Sequence, residues 1–345
     1  MKIQTVAKFI DQPVILNKLQ KHMPELLIGA GTGYGIYDTI KHRKDGQKRG
    51  IKNAIVIGTT IAASLIGTRG LKIKGKKMFE GLMEDKPLKD ILARQSAAVD
   101  KYIKSEKISD NTLLDVLTKP KTTHLSLKDI DLLSVKLPQN NARKDLFEVI
   151  LPDPKGESEA FSEIKRLSLL GAIPVAGGVA GGILADKITG TQSKKATANK
   201  VKEGFYQYFA NIFLCNVGAG AAMLAAETLE KKNIIKPLTP AKKLVTILGG
   251  IVATGVVGGS FIANYMSKKI INPMFRQKSD EKLYSERKPE TLDIALHADD
   301  IATAGILSGF KWIEPALPLM YFISGYRAGI GYRNVNKNSQ NAYKN

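Results

Sequence analysis

Three stretches of this chain lack any charged side chain for about the length that a bilayer's hydrocarbon core demands, roughly 20 residues. Nineteen uncharged residues separate Arg166 from Asp186, 23 separate Glu203 from Glu227, and 24 separate Lys243 from Lys268. Such runs hide in a mean hydropathy of −0.11, because charged and apolar residues are segregated along the chain. Three further segments are weaker. Residues 26 to 37 and 53 to 68 are uncharged for only 12 and 16 positions, short enough for a tilted span, a re-entrant hairpin or a buried core helix. The last, from Ile301 to Tyr326, is long enough but contains Lys311 and Glu314, which at a spacing of three share one helical face and can pair.

Glycine spacing supports the same environment. In lipid the hydrophobic effect does little to join helices, so close backbone approach through small residues supplies the packing. The pairs Gly29 and Gly33, Gly177 and Gly181, Gly178 and Gly182, Gly255 and Gly259, and Gly305 and Gly309 are each four apart and are the expected helix-packing positions. Gly31 with Gly35 and Gly325 with Gly329 repeat that spacing. The rival reading is a water-soluble core rich in Gly and Ala, in which each interior glycine costs roughly 1 kcal/mol relative to alanine.

The expected fold is therefore all-α: a polytopic helical membrane bundle of about six apolar segments, readable as three helical hairpins, with a soluble helical insert. The boundaries follow composition. Residues 1–24 form an amphipathic N-terminal segment, 25–68 a first membrane hairpin, 69–164 the insert, and 165–227 a second hairpin. Residues 228–326 give a third hairpin with a polar linker at 268–297, and 327–345 a basic polar tail. The insert holds 18 Lys and Arg against 16 Asp and Glu. Apolar residues recur in it at helical spacing over 87–104 and 126–137, and Ser126 with Asp129 fits a capping box.

The three hairpins resemble the mitochondrial carrier family in outline. Within LADKITGTQSKKATANKVKEGFYQY, residues 184 to 208, an acid, basic residues and then an acidic, glycine and aromatic element follow its signature. The resemblance implies a transport bundle. The proline expected before the acid is missing at Asp38, Asp186 and Asn264, and about 95 residues separate the first two hairpins.

The net charge of +20 lies almost wholly outside the insert, whose balance is +2. Lysine and arginine beside a bilayer attract anionic headgroups at about 1 kcal/mol each. Lys41, Arg43, Lys44, Lys48, Arg49, Lys194, Lys195, Lys268 and Lys269 are the expected lipid contacts, and the expected partner is a bilayer with anionic lipids, joined by a protein partner for the 69–164 insert. Nucleic acid is set aside, because the clusters occupy short loops between apolar runs rather than an aromatic-interleaved face. Basic residues fall on both sides of a six-span topology, so sidedness stays open. Oligomeric state does too. High Lys and Asn usage points to an AT-rich bacterial genome and the cytoplasmic membrane.

Chemistry is sparse. Cys215, the lone cysteine, reads as a buried packing residue. Only His297, Asp299 and Asp300 bring metal-ligating types together, and acids at a helix start are expected from the helix dipole alone. No metal, no cofactor and no catalytic residue is expected. Ionisable groups at membrane depth are expensive and face interiors or aqueous cavities, which makes Lys311, Glu314, Asp38 and Asp186 candidates for a polar path. Two roles follow: a non-enzymatic membrane-organising or scaffold protein, or a small-solute or ion transporter or channel using those charges. A lipid-modifying enzyme around His297, Asp299 and Asp300 is a third.

Overall fold

The computed structural model describes residues 21–41, 46–83, 88–119, 125–152, 154, 156–275 and 298–331. Residues 1–20 of the N-terminal segment, Arg43, Lys44, His297 and residues 332–345 of the tail lie outside them, while residues 327–330 at the start of the expected tail are helical. The fold is mostly helical. Three helical stretches are long and apolar enough to cross a membrane, Lys48–Arg69, Gly156–Ile188 and Lys194–Lys231. That is three among the described residues where six were expected.

Helices α1 (Met23–Lys41) and α2 (Gly46–Arg69) form an antiparallel pair. The insert then opens on a feature that helical periodicity missed: strands β1 (Gly70–Ile73) and β2 (Lys76–Glu80) pair antiparallel around Lys74 and Gly75. Both turn residues have positive φ, 49° and 77°, as a two-residue hairpin whose twist matches its strands requires. Gly81 follows, packed so closely on the backbone of Thr68 and Arg69 that no side chain fits there.

Among the described residues the insert continues as four helices, α3 (Leu88–Glu106), α4 (Asn111–Thr118), α5 (Leu127–Lys136) and α6 (Asn141–Ile150). Asp110, Ser126 and Asn140 cap the last three, and both halves of the Ser126–Asp129 capping box form. Burial works to raise the pKa of Asp129. Hydrogen bonds from Lys119 (2.6 Å) and Ser126, with the Lys119 charge, outweigh it and hold the carboxyl below its ordinary value. A depressed native pKa contributes stability that is complete above about pH 4 and is lost as pH falls through the native value. Ser126→Ala is accordingly expected to cost about 1 kcal/mol at neutral pH and less in acid, read from hydrogen exchange of the α5 amides. An equal cost at both pH values would show the carboxylate to be uninvolved.

The bundle is built on α7 (Gly156–Ile188), 33 residues and about 50 Å long. Its small-residue faces set the neighbours. Gly177 meets Ala63 and the Thr59 carbonyl while Gly181 meets Thr59, so α2 runs antiparallel to it; Gly178 and Gly182 meet the carbonyls of Gly325 and Gly329, so α13 (Leu317–Ile330) runs parallel. Helix α8 (Lys194–Tyr208) continues through a π turn at Phe209–Phe213 into α9 (Leu214–Lys231). On it Gly204 touches Val175 and Val179, and Gly220 meets Ile164, again antiparallel to α7. Helix α10 (Pro240–Ile251) passes through π winding at Val252–Gly259 into α11 (Ser260–Met266), a second π turn at Ser267–Ile271 and a final turn, Asn272–Met274. Gly250 lies on Gly218, Gly255 on Cys215 and Gly259 on Ala210, which zips α10 and its π turn onto α9.

Two sets of sequence expectations need correction. Gly29 and Gly33 face no described neighbour within 4 Å, whereas Gly31 and Gly35, two positions on, press on Ile57. Both pairs satisfy the spacing, and only the orientation of α1 against α2 selects between them. The apolar run from Ile301 to Tyr326 is not one span. Helix α12 (Ala298–Leu307) stops at Gly309, whose φ of +92° places it in a left-handed C-terminal turn, closed by Phe310 N–H on the Gly305 carbonyl at 2.9 Å. A 3₁₀ turn (Lys311–Ala316) and α13 follow. Helices of 10 and 14 residues reach about 15 and 21 Å, each short of a bilayer core. Gly309 thus terminates a helix, packed against Leu151 of the insert, and Gly305 packs on Ile313 within the same reversal.

The reversal joins insert and bundle. Val99, Leu117, Leu133 and Leu146 of the insert share one buried cluster with Phe310, Trp312, Leu170 and Tyr321.

A cation-lined cavity as the candidate functional site

Acids at helix C-termini and bases at helix N-termini both oppose the helix dipole. At the bundle end away from the insert, the two misfits answer each other. Asp38 in the last turns of α1 accepts hydrogen bonds from Arg49 (3.0 and 3.1 Å) and from Asn53 Nδ2 (3.0 Å) on α2, and Tyr326 on α13 donates to Asn53 Oδ1 at 2.9 Å. Asp186, at the end of α7, takes an ion pair from Lys52 Nζ at 2.8 Å, another from Lys200 in the second turn of α8, and a hydrogen bond from Thr191 at 3.2 Å. Asp38 and Asp186 are each 2% exposed, so neither carboxylate could stay charged at this depth without these cations.

Between the two pairs lies a cavity of about 380 Å³, lined by Lys48, Arg49, Lys52, Lys200 and Asp186 together with Gly182 and Gly329. Four cations face two carboxylates, counting Asp38 behind Arg49, a net of +2. Cations line a concave space, and this can take a small anion by charge-assisted hydrogen bonds. Thr191 is the only hydroxyl among the lining residues, and no histidine or thiol joins it. Its functional groups are the four cations, the Asp186 carboxylate, the Asn53 amide and the Thr191 hydroxyl, a set that suits charge-assisted hydrogen bonding to an anion.

Lys194 is exposed at the start of α8 and Lys195 is half-buried there, while Lys268 and Lys269 are exposed on the π turn that touches α8. These four gather at the cavity's end of the bundle. Lys41 closes α1 there as well. Lys52 and Lys200 line the site but were absent from the sequence expectations, because each falls just past a basic run, 41–50 or 187–195. The available signal was the acid at the end of each preceding apolar segment, which requires a cation from somewhere.

A second ion cluster lies about three turns inside the opposite end of α7. Arg166 donates to Glu314 (2.5 and 2.9 Å), to Glu163 (2.5 and 3.1 Å) and to the Leu82 carbonyl (2.7 Å). Glu314, expected to pair with Lys311, is therefore tied to α7, and Lys311 opens the 3₁₀ turn. Arg166 and Asp186 are 20 positions apart on one helix, about 30 Å, which is the thickness of a hydrocarbon core.

Asp299 and Asp300 are buried in the first turn of α12. Among the described residues no three His, Cys, Asp or Glu gather as metal ligands.

No protein-family model, no curated protein and no solved structure matches the chain.

Proposed function

We propose that this chain is an integral membrane protein that organises the bilayer around it: a non-enzymatic scaffold whose glycine-packed helices form a stiff bundle and whose basic end holds anionic lipid. The observation that carries this reading is the cavity between Asp38–Arg49 and Asp186–Lys52–Lys200, net positive and set one hydrocarbon thickness from the Arg166 cluster. A lipid phosphate suits it in charge and size. Lys194, Lys195, Lys268 and Lys269 add a surrounding basic rim for further headgroups. Engagement of the Glu314 carboxylate by Arg166 favours a structural tie over a solute path at that residue.

The test is lipid retention. The detergent-purified protein, mixed with phosphatidylglycerol or phosphatidylcholine, is expected to keep the anionic lipid selectively in native mass spectrometry. With each cation worth about 1 kcal/mol, Lys48→Ala together with Lys52→Ala should weaken that preference about thirtyfold. Equal retention of the two lipids by the wild type would remove the proposal.

A further inference from the structure

Buried polar side chains run in file down one face of α8 and α9. Lys200, Glu203, Gln207 and Asn211 recur about every four residues and are all under 10% exposed. Gln207 Nε2 donates to Glu203 Oε1 at 2.8 Å, Asn211 Nδ2 donates to Gln207 Oε1 at 2.9 Å, and Arg327 lies 3.8 Å from Glu203. A four-residue step drifts around an α-helix, and the wider π turn at Phe209–Phe213 offsets that drift. The file therefore keeps facing the interior and comes to Cys215 and Asn216. Asn216 donates to Ser168 at 3.1 Å and accepts from Thr303 on α12 at 3.3 Å.

Asp299 lies one turn before Thr303. Helix α12 runs toward the insert, where Gly309 meets Leu151, so Asp299 sits about 6 Å deeper in the bundle than Thr303. Ser168, level with Thr303, is two residues from Arg166, which places Asp299 about 9 Å inside the Arg166 cluster. It is 4% exposed and its Oδ1 has no hydrogen-bond partner. Among the described residues the titratable groups acting with it are Asp300 beside it, Cys215 from α9 and Tyr321 from α13, and none of these is a cation. An ionised carboxylate buried without a counter-charge costs several kcal/mol, a debt that a bound positive charge removes. One oxygen of Asp299 is without a hydrogen-bond partner, and Asn216 bonds Thr303 one turn from it.

We propose that Asp299 is a proton-binding carboxyl in the bundle interior, reached from the cation-lined cavity along Glu203, Gln207 and Asn211. Uptake forms one O–H bond at Asp299 Oδ1 with a proton from bulk water, and release returns it. The site goes beyond the lipid-holding reading and does not depend on it.

Dicyclohexylcarbodiimide adds to protonated carboxyls in apolar surroundings, so the full-length protein in detergent is expected to form an adduct mapped to Asp299 at neutral pH, diminishing as pH rises. Infrared spectroscopy provides a second measurement: a protonated-carboxyl stretch present in the wild type and missing from Asp299→Asn, an isostere of the protonated acid. Either signal supports the site. Absence of both overturns it, as does an adduct confined to Asp300, or protection by sodium ion at constant ionic strength, which would make it a metal-cation site. Gln207→Leu is expected to slow deuterium exchange of the infrared band at least tenfold, and an unchanged rate overturns the route.

Discussion

Replacing Gly178 with leucine is expected to destabilise the bundle by about 3 kcal/mol or more, at the upper end of overpacking costs. The reason is what the new side chain meets. Its first carbon would fall on the carbonyl oxygen of Gly325, and Gly182 stands in the same relation to Gly329 one turn on. A side chain can rotate away from an intruder, but a helical carbonyl moves only with its helix. Across the interface Gly325 is held against the Pro174 carbonyl and Gly329 against that of Gly178, so both partners lack slack. Gly178→Ala should already lower the thermal midpoint in detergent. Gly29→Ala provides the control, because no described atom lies near it; there the helix-propensity gain of roughly 1 kcal/mol is unopposed. If the two alanine variants melt alike, the α7–α13 contact does not hold the bundle together.

Arg166→Met should have a comparable effect for an electrostatic reason. The guanidinium holds two carboxylates, Glu163 and Glu314, and the Leu82 carbonyl, and the acidic side chains are 10% and 6% exposed. Its loss leaves two like charges buried together, and removing one partner from a buried ion pair costs about 3–5 kcal/mol. The same change cuts a link between α7, the reversal before α13 and the segment after the β-hairpin, so the insert should become sensitive to limited proteolysis. Combining it with Glu163→Gln and Glu314→Gln removes the stranded charges and should recover most of the loss. A triple variant no more stable than Arg166→Met would assign the effect to side-chain packing instead.

Uncharged length was the most legible property of the sequence. The windows 167–185 and 204–226 lie in α7 and in the α8–α9 stretch, and the shorter 53–68 window lies in α2, which also reaches spanning length. What periodicity could not supply was direction. Gly29 with Gly33 and Gly31 with Gly35 have the same spacing, and only the docked partner distinguishes them. Gly305 and Gly309 show a deeper ambiguity, since glycine both permits close helix approach and ends helices, and the positive φ that decides the matter leaves no mark in spacing. Partners distant in sequence were invisible for a simpler reason: Arg166 and Glu314 are 148 positions apart. The cavity was half legible, with Lys48 and Arg49 in the basic run 41–50 but Lys52 and Lys200 just past the runs.

The two ion clusters are fixed to one continuous rod of backbone, and that has a mechanical consequence. Neither collar of charge can slide toward the other, so in a bilayer this molecule would behave as a gauge of set height. Wherever the surrounding hydrocarbon were thicker or thinner than the gap between the collars, the lipid rather than the protein would have to yield, at a fraction of a kcal/mol for each ångström around the perimeter.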